Sequence, residues 1–254
     1  MTDDNDSEFD LFGELSQTES LELNKRRQRF KAEQSSTFAQ LPDDPCDRST
    51  AENRKVFRHL CQRGQFDSAQ IISQLFSLAE CDAILKIVHG LGQDKSWTTG
   101  RHSAFPTTDI PLLTDENGPL THIADQVKAR LFGKLAQYFG FQPLDLAFRD
   151  LFLVKYSADA QAGLGMHTDG CLMSFNILVN PSSEFNGGGT YFASTDDVVH
   201  IQQGDCVFHN AKIMHRGMPI SQGQRFILVG FVDTVDTIEK DKLHQTQSQP
   251  TLRS

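Results

Sequence analysis

From Ala147 to Asp233 the chain reads as one short strand after another, and this run limits the fold more than any other feature. The pieces 148–157, 163–169, 171–180, 188–194, 198–202, 206–210, 212–218 and 225–233 are strand-sized, and polar or glycine-bearing connections separate them. Eight such pieces in about 85 residues predict a sandwich or a closed barrel. The hydrophobic period before them is helical. Leu75, Leu78, Cys81, Ile84, Leu85 and Val88 recur at helical spacing, with Gly90 as the stop. Ile123, Val127, Leu131, Leu135 and Phe139 predict a second helix over 119–138, ended by Gly140. Both are expected on the outer face of the barrel. Residues 70–72 suit a short strand, and 97–113 read as irregular, with Gly100, Pro106 and Pro111.

The two ends are polar. Residues 1–50 are expected to be a disordered tail and linker: seven acidic residues and no Lys or Arg in the first 20 positions, then a basic stretch at 23–31, then the two prolines of 42–49. Phe9, Leu11, Phe12 and Leu15 offer a partner apolar side chains, and Lys25-Arg26-Arg27 is a short candidate nuclear address. The ordered domain is placed at 51–235, with its barrel core at 147–233. A polar tail is expected at 236–254, opening with a short helix. A net charge of −9 argues against nucleic acid as the partner of the fold. No apolar run has membrane-helix length, and the acidic start lacks the pattern of a secretory signal. The five cysteines are scattered, with no CxxC pair, so neither a disulfide framework nor a zinc-thiolate site is expected. The expected location is cytoplasmic or nuclear.

Within the strand run, His167 and Asp169 are two residues apart. In a strand that spacing puts both side chains on one face. His215 lies 48 residues after His167, far enough for the chain to circle a barrel and return. Two imidazoles and a carboxylate leave three metal positions open, which suits non-haem Fe(II); zinc can use the same ligands. Arg225 comes ten residues after His215 in a strand apolar at alternate positions. A guanidinium inside a barrel needs an anion, and its fork matches a carboxylate. A dicarboxylic oxo-acid, chelating the metal at one end and meeting Arg225 at the other, satisfies both demands.

The order Tyr156, Gln161, His167-Thr168-Asp169, Asn176, Gly187-Gly188-Gly189, His215-Arg216-Gly217-Met218-Pro219, Gly223-Gln224-Arg225 and Phe231-Val232-Asp233 resembles the Fe(II)/2-oxoglutarate-dependent dioxygenases. The similarity covers about 151–233 and is greatest to the catalytic domain of the prolyl 4-hydroxylase and procollagen lysyl hydroxylase group. It implies a mainly β fold with flanking helices, a double-stranded β-helix (jelly-roll, cupin-like) barrel. It implies Fe(2+), 2-oxoglutarate and O2, with ascorbate as an accessory. Tyr156 and Asn176 are implied to touch the oxo-acid beside Arg225. The implied reaction is hydroxylation of a C–H bond on a protein side chain, with release of succinate and CO2. Met166 and Arg216, flanking the ligands, depart from the pattern and leave the target open between proline, lysine and a small molecule or modified base. The glycosyltransferase part of lysyl hydroxylases has no counterpart here, and collagen is not the expected target.

Two other functions use the same residues: a module that binds metal or oxo-acid without turnover, and a zinc hydrolase. His200 and His209 fit no ligand spacing and read as structural or rim residues. Gly187–Gly189 reads as a tight turn, since no GK[ST] comes after it. Cys171 and Cys206 read as small core residues. Arg101 and Ser103 are candidate substrate contacts.

Overall fold

The computed structural model describes residues 16–90, 97–113 and 120–247. The chain divides into two compact units, residues 1–43 and 44–254. In the first, Gln17–Phe38 forms helix α1, where the sequence predicts disorder. Its start is a reciprocal cap: Ser16 N–H donates to Glu19, and Glu19 N–H donates back to Ser16 Oγ. Glu, Leu, Lys, Arg and Gln dominate the rest of the helix, all good helix formers. Phe9, Leu11, Phe12 and Leu15 lie outside the described residues.

The second unit starts at Asp44, ahead of the expected boundary at 51. The 42–49 stretch holds specific contacts instead of serving as a loose linker. Pro45–Asp47 form a 3-10 turn capped by Asp44, and the Pro45 carbonyl accepts from Asn53 at 3.1 Å and Gln142 at 3.2 Å. Helix α2, Thr50–Gln62, carries a Ser49/Glu52 capping box. It buries Phe57 against the rings of Phe66, Phe139 and Phe141. Strand β1 is Gln70–Ile72, and helix α3 is Leu78–Gly90. Leu75 stays outside α3, because Ser77 and Glu80 form the helix cap. Strand β2 is Asp109–Pro111. Helix α4, Thr121–Phe139, ends at Gly140 in the left-handed conformation.

Eight further strands complete the barrel: β3 Leu146–Ser157, β4 Met173–Leu178, β5 Phe185–Gly187, β6 Thr190–Phe192, β7 Asp197–Val199, β8 Cys206–Asn210, β9 His215–Gly217 and β10 Ile220–Thr234. They pair antiparallel into a large sheet, β1-β8-β4-β10-β3-β2 with β5 joining β10, and a small sheet, β7-β6-β9. The expected strand at 163–169 is a loop that keeps one isolated bridge, His167 to His215. Gly163 explains part of this: a Cβ there would sit 2.7 Å from the Gly217 carbonyl, a closer approach than a side chain allows. Helix α5, Val235–Gln247, takes up most of the expected C-terminal tail. Arg149 ties α5 to the sheet by bridging Asp233 and Asp241. Among the described residues no helix is long and apolar enough to cross a membrane.

Alternation along the strands separates two cores. On β10, Phe226, Leu228 and Val232 face the cluster that contains α3 and α4, whereas Ile227, Val229 and Phe231 face the interior between the sheets. Gly230 sits directly across from Phe175 of β4, and a Cβ at Gly230 would lie 2.1 Å from that buried ring. Gly230→Ala is therefore expected to destabilise the protein by about 1–3 kcal/mol in denaturant unfolding. Glu80 accepts from Arg130 and caps Ser77, and these bonds hold its carboxyl down at about 2. Its contribution is present above the usual pKa near 4.5 and lost as pH falls through 2. Glu80→Gln is expected to be less stable than wild type at pH 7, with the difference closing between pH 4.5 and 2.

Candidate metal and anion site

The open end of the barrel holds a cavity of about 410 Å³. Tyr156, His167, Asp169, Asn176, His215 and Arg225 all line it, so the six side chains selected from the sequence meet in one place. Their positions come from the sheet. His167 and His215 exchange both backbone hydrogen bonds at 2.9 Å, and Asp169 N–H donates to the Ala211 carbonyl at 2.9 Å. The bridge places the imidazole rings 4.3 Å apart, with Asp169 between their tips.

Tautomers are set by the backbone. His167 Nδ1 donates to the Gly165 carbonyl at 2.8 Å, and His215 Nδ1 donates to the Ile213 carbonyl at 2.9 Å. A carbonyl oxygen only accepts, so both hydrogens lie on Nδ1 and both Nε2 lone pairs are free. These Nε2 atoms stand 3.4 and 3.5 Å from the Asp169 oxygens. One ligand atom from each of the three residues lies within 4.8 Å of the others. Converging lone pairs on two imidazoles and a carboxylate fit a divalent cation.

Burial opposes the charge on His167, but Asp169, to which Nε2 would donate once protonated, and the Gly165 carbonyl outweigh it and raise its pKa. Burial dominates at His215 and lowers its pKa despite Asp169. Burial pushes the Asp169 carboxyl up, but His167, His215 and Ser174 together bring it below its ordinary value. Ser174 Oγ donates to Asp169 Oδ2 at 2.5 Å and leaves Oδ1 free to face an ion. His209 is the structural residue expected. It is buried edge-on against His215, 4.5 Å between ring centres, and burial lowers its pKa to about 3.

Arg225 lies farther along β10 on the same interior face. It is 2% exposed, and burial lowers its pKa. Among the described residues no carboxylate pairs with it. Its polar contact is a 3.3 Å bond to the Gly189 carbonyl, and its guanidinium lies 5.8 Å from the Tyr156 ring. The glycine run is the expected tight turn, with φ of 87°, 74° and 94°, and it wraps this side chain: a Cβ at Gly188 would lie 3.1 Å from Arg225 Cδ. Asn176, buried on β4 opposite Val229, completes this wall.

Both candidate substrate contacts, Arg101 and Ser103, line the cavity, and both arms of Arg101 are occupied by Asp109 at 2.8 Å and Asp150 at 2.6 Å. Those ion pairs anchor the 101–107 loop, whose Phe105 ring packs 4.9 Å from His167. Gln161 holds the same loop, accepting from Thr108 N–H at 2.9 Å and donating to the Pro106 carbonyl at 2.7 Å. The sequence reading missed Ser174, although it shares with Asn176 the parity of one face of β4.

No family model matches the chain. Among curated proteins it is 28% identical over 176 residues to procollagen-lysine,2-oxoglutarate 5-dioxygenase 2 of Homo sapiens, covering 63% of this chain and 23% of that protein. It is 27% identical over 197 residues to the procollagen lysyl hydroxylase and glycosyltransferase of Acanthamoeba polyphaga mimivirus, covering 69% and 21%. The chain thus spans under a quarter of the length of these relatives. An oxidoreductase of the 2OG-Fe(II) oxygenase family from Burkholderia pseudomallei superposes with a TM-score of 0.53 at 16% identity, covering 74% of this chain and 92% of that one. A Trichoplax adhaerens prolyl hydroxylase, solved with a hypoxia inducible factor peptide, gives 0.53 at 13% identity, covering 78% and 96%. The motif resemblance is borne out, and the fold is the double-stranded β-helix of these oxygenases.

Replacing Ser174 by Ala removes the donor that orients Asp169. It is expected to weaken binding of Fe(II) or Mn(II) by about tenfold, measured by metal titration under anaerobic conditions.

Proposed function

We propose that this protein is an Fe(II)- and 2-oxoglutarate-dependent dioxygenase that hydroxylates a C–H bond of a protein side chain. The observation that carries the reading is the buried, acid-free Arg225 guanidinium in the same cavity as the His167–Asp169–His215 group. A metal alone leaves that charge unexplained; a dicarboxylic oxo-acid answers both ends of the cavity. With iron bound, the site would couple decarboxylation of 2-oxoglutarate to oxygen transfer: one atom of O2 enters succinate, the other enters the substrate C–H bond, and CO2 leaves.

The chain's own residues do the holding. His167, Asp169 and His215 are assigned as metal ligands, with Nδ1 of both histidines committed to backbone carbonyls. Arg225 is assigned the far carboxylate of the oxo-acid by a charge-assisted fork, with Tyr156 and Asn176 beside it. Ile227, Val229, Val154 and Phe152 line the cavity with apolar surface and keep water from the reacting atoms. Phe105 and the 101–107 loop border the route by which the substrate enters.

The protein class of the substrate is supported by the relatives, whose names specify procollagen-lysine, and by the prolyl hydroxylase solved with a peptide. The same reading takes ascorbate as an accessory reductant for the metal.

The test needs no knowledge of the target. Fe(II) and 2-oxoglutarate are added anaerobically, oxygen is admitted, and succinate is quantified. Wild type is expected to form succinate slowly without substrate. His167→Ala and Asp169→Ala are expected to form none above the iron-only blank. Arg225→Ala is expected to lose about 100-fold or more in 2-oxoglutarate affinity. Metal binding with no oxo-acid binding sinks the reading, and turnover with zinc in place of iron would favour a hydrolase.

A further inference from the structure

Strand β10 changes partner along one edge. Its start pairs with β5, where Gly223 faces Phe185, and its later part pairs with β4, where Ile227 faces Leu178. Arg225 falls in the gap between them. On the opposite edge it is paired normally, facing Tyr156 of β3. Successive peptide groups in a strand point to opposite edges, so the groups left facing the gap belong to Gln224 and Phe226, on either side of Arg225.

The backbone of the β4 segment does not fill this gap. Val179 N–H makes a last ladder bond to the Phe226 carbonyl at 2.9 Å. Pro181 comes two residues later and has no N–H to give, and the chain turns away into a 3-10 turn, Ser182–Glu184. The side chain of Asn180 takes over. Its Oδ1 accepts from Phe226 N–H at 2.8 Å, and its Nδ2 donates to the Gln224 carbonyl at 2.8 Å. A second Nδ2 hydrogen reaches Glu184 at 3.0 Å. Asn180 is 0% exposed, so these bonds have no competition from water. One carboxamide thus supplies both the donor and the acceptor that a missing strand residue would have offered.

We propose that Asn180 is a positioning residue for Arg225, and that its bracket across Gln224 and Phe226 sets the affinity of the site for a dicarboxylic oxo-acid. The proposal rests on the oxo-acid assignment of the Arg225 cavity. Arg225 carries its charge at the end of a long side chain with a single polar contact in the barrel, so the direction in which that chain starts is fixed by its own backbone. Without the bracket, the strand there is held on one edge alone. Asn180 touches neither the metal ligands nor the ligand itself, so its effect must pass through Arg225.

The test separates reach from chelation. Binding of 2-oxoglutarate and of oxalate to the Mn(II)-loaded protein is measured anaerobically by calorimetry for wild type, Arg225→Ala, Asn180→Ala and Asn180→Asp. Oxalate chelates the metal but is too short to reach Arg225. Loss of the bracket is expected to weaken 2-oxoglutarate about tenfold or more, in the direction of Arg225→Ala, with oxalate and Mn(II) binding unchanged. Asn180→Asp, which keeps the acceptor and loses the donor, is expected to fall between. A 2-oxoglutarate-to-oxalate ratio equal to wild type in either folded variant overturns the proposal. If wild type itself shows no preference that Arg225→Ala removes, the oxo-acid reading fails, and the proposal with it. A second measurement uses wild type only: 2-oxoglutarate, and not oxalate, is expected to slow hydrogen exchange at the Phe226 amide, and equal exchange with both also overturns it.

Discussion

A positive charge taken out of water without a negative partner is the constraint around which this barrel is arranged. Arg225 cannot shed its proton at any ordinary pH, so the fold must keep the charge tolerable until an anion arrives. The Gly189 carbonyl offers one partial charge, the Tyr156 ring offers its face, and the glycine turn encloses the aliphatic stem. None of these neutralises it. The barrel interior is therefore asymmetric: a cationic end, an apolar middle and a metal-ligating end. The proposed oxo-acid and metal would match all three.

The strand that carries this charge also carries the core. Odd-numbered residues of β10 from Arg225 to Phe231 build the cavity, and the even-numbered residues between Phe226 and Val232 build the helix-covered layer. A one-residue slip would exchange the two sets and bury the cation among α3 and α4 side chains. Two devices prevent it. The notch at Gly230 receives the Phe175 ring in one register only, and Asn180 holds the strand where its neighbours change. Stability and ligand geometry are thus fixed by the same few contacts.

Most of the barrel was legible because alternation along strands is a strict rule, and Arg225 because a buried arginine demands an anion; Tyr156 and Asn176 came from the family resemblance alone, and His167 and Asp169, chosen for strand spacing, are brought to the cavity by a loop with a single bridge. The features that escaped rest on contacts between distant segments. Helix α2 is amphipathic but polar in composition, Phe57 being its one buried hydrophobic side chain, so little in its sequence announces a core element while the Phe66–Phe139–Phe141 cluster decides the outcome. The 163–169 piece looks like a strand by composition, yet its glycines and the close approach of Gly217 leave it a single bridge. Arg101 was a candidate substrate contact, and nothing local announces its ion pair with Asp150, which is 49 positions away. Asn180 and Ser174 are ordinary strand polar residues until the register is known.

The His167–His215 bridge bears on metal choice. The two histidines are aligned by paired backbone hydrogen bonds, their tautomers are set by carbonyls, and Asp169 is held by Ser174. A site so fully assembled needs little rearrangement to accept a divalent cation, and for the same reason it has little with which to refuse one. Manganese, cobalt, nickel and zinc fit the same three atoms, and intrinsic affinities for such donors rise along the first-row series past iron. Discrimination then falls to the supply of ions around the protein and, on the proposed function, to the oxo-acid that would share the coordination sphere.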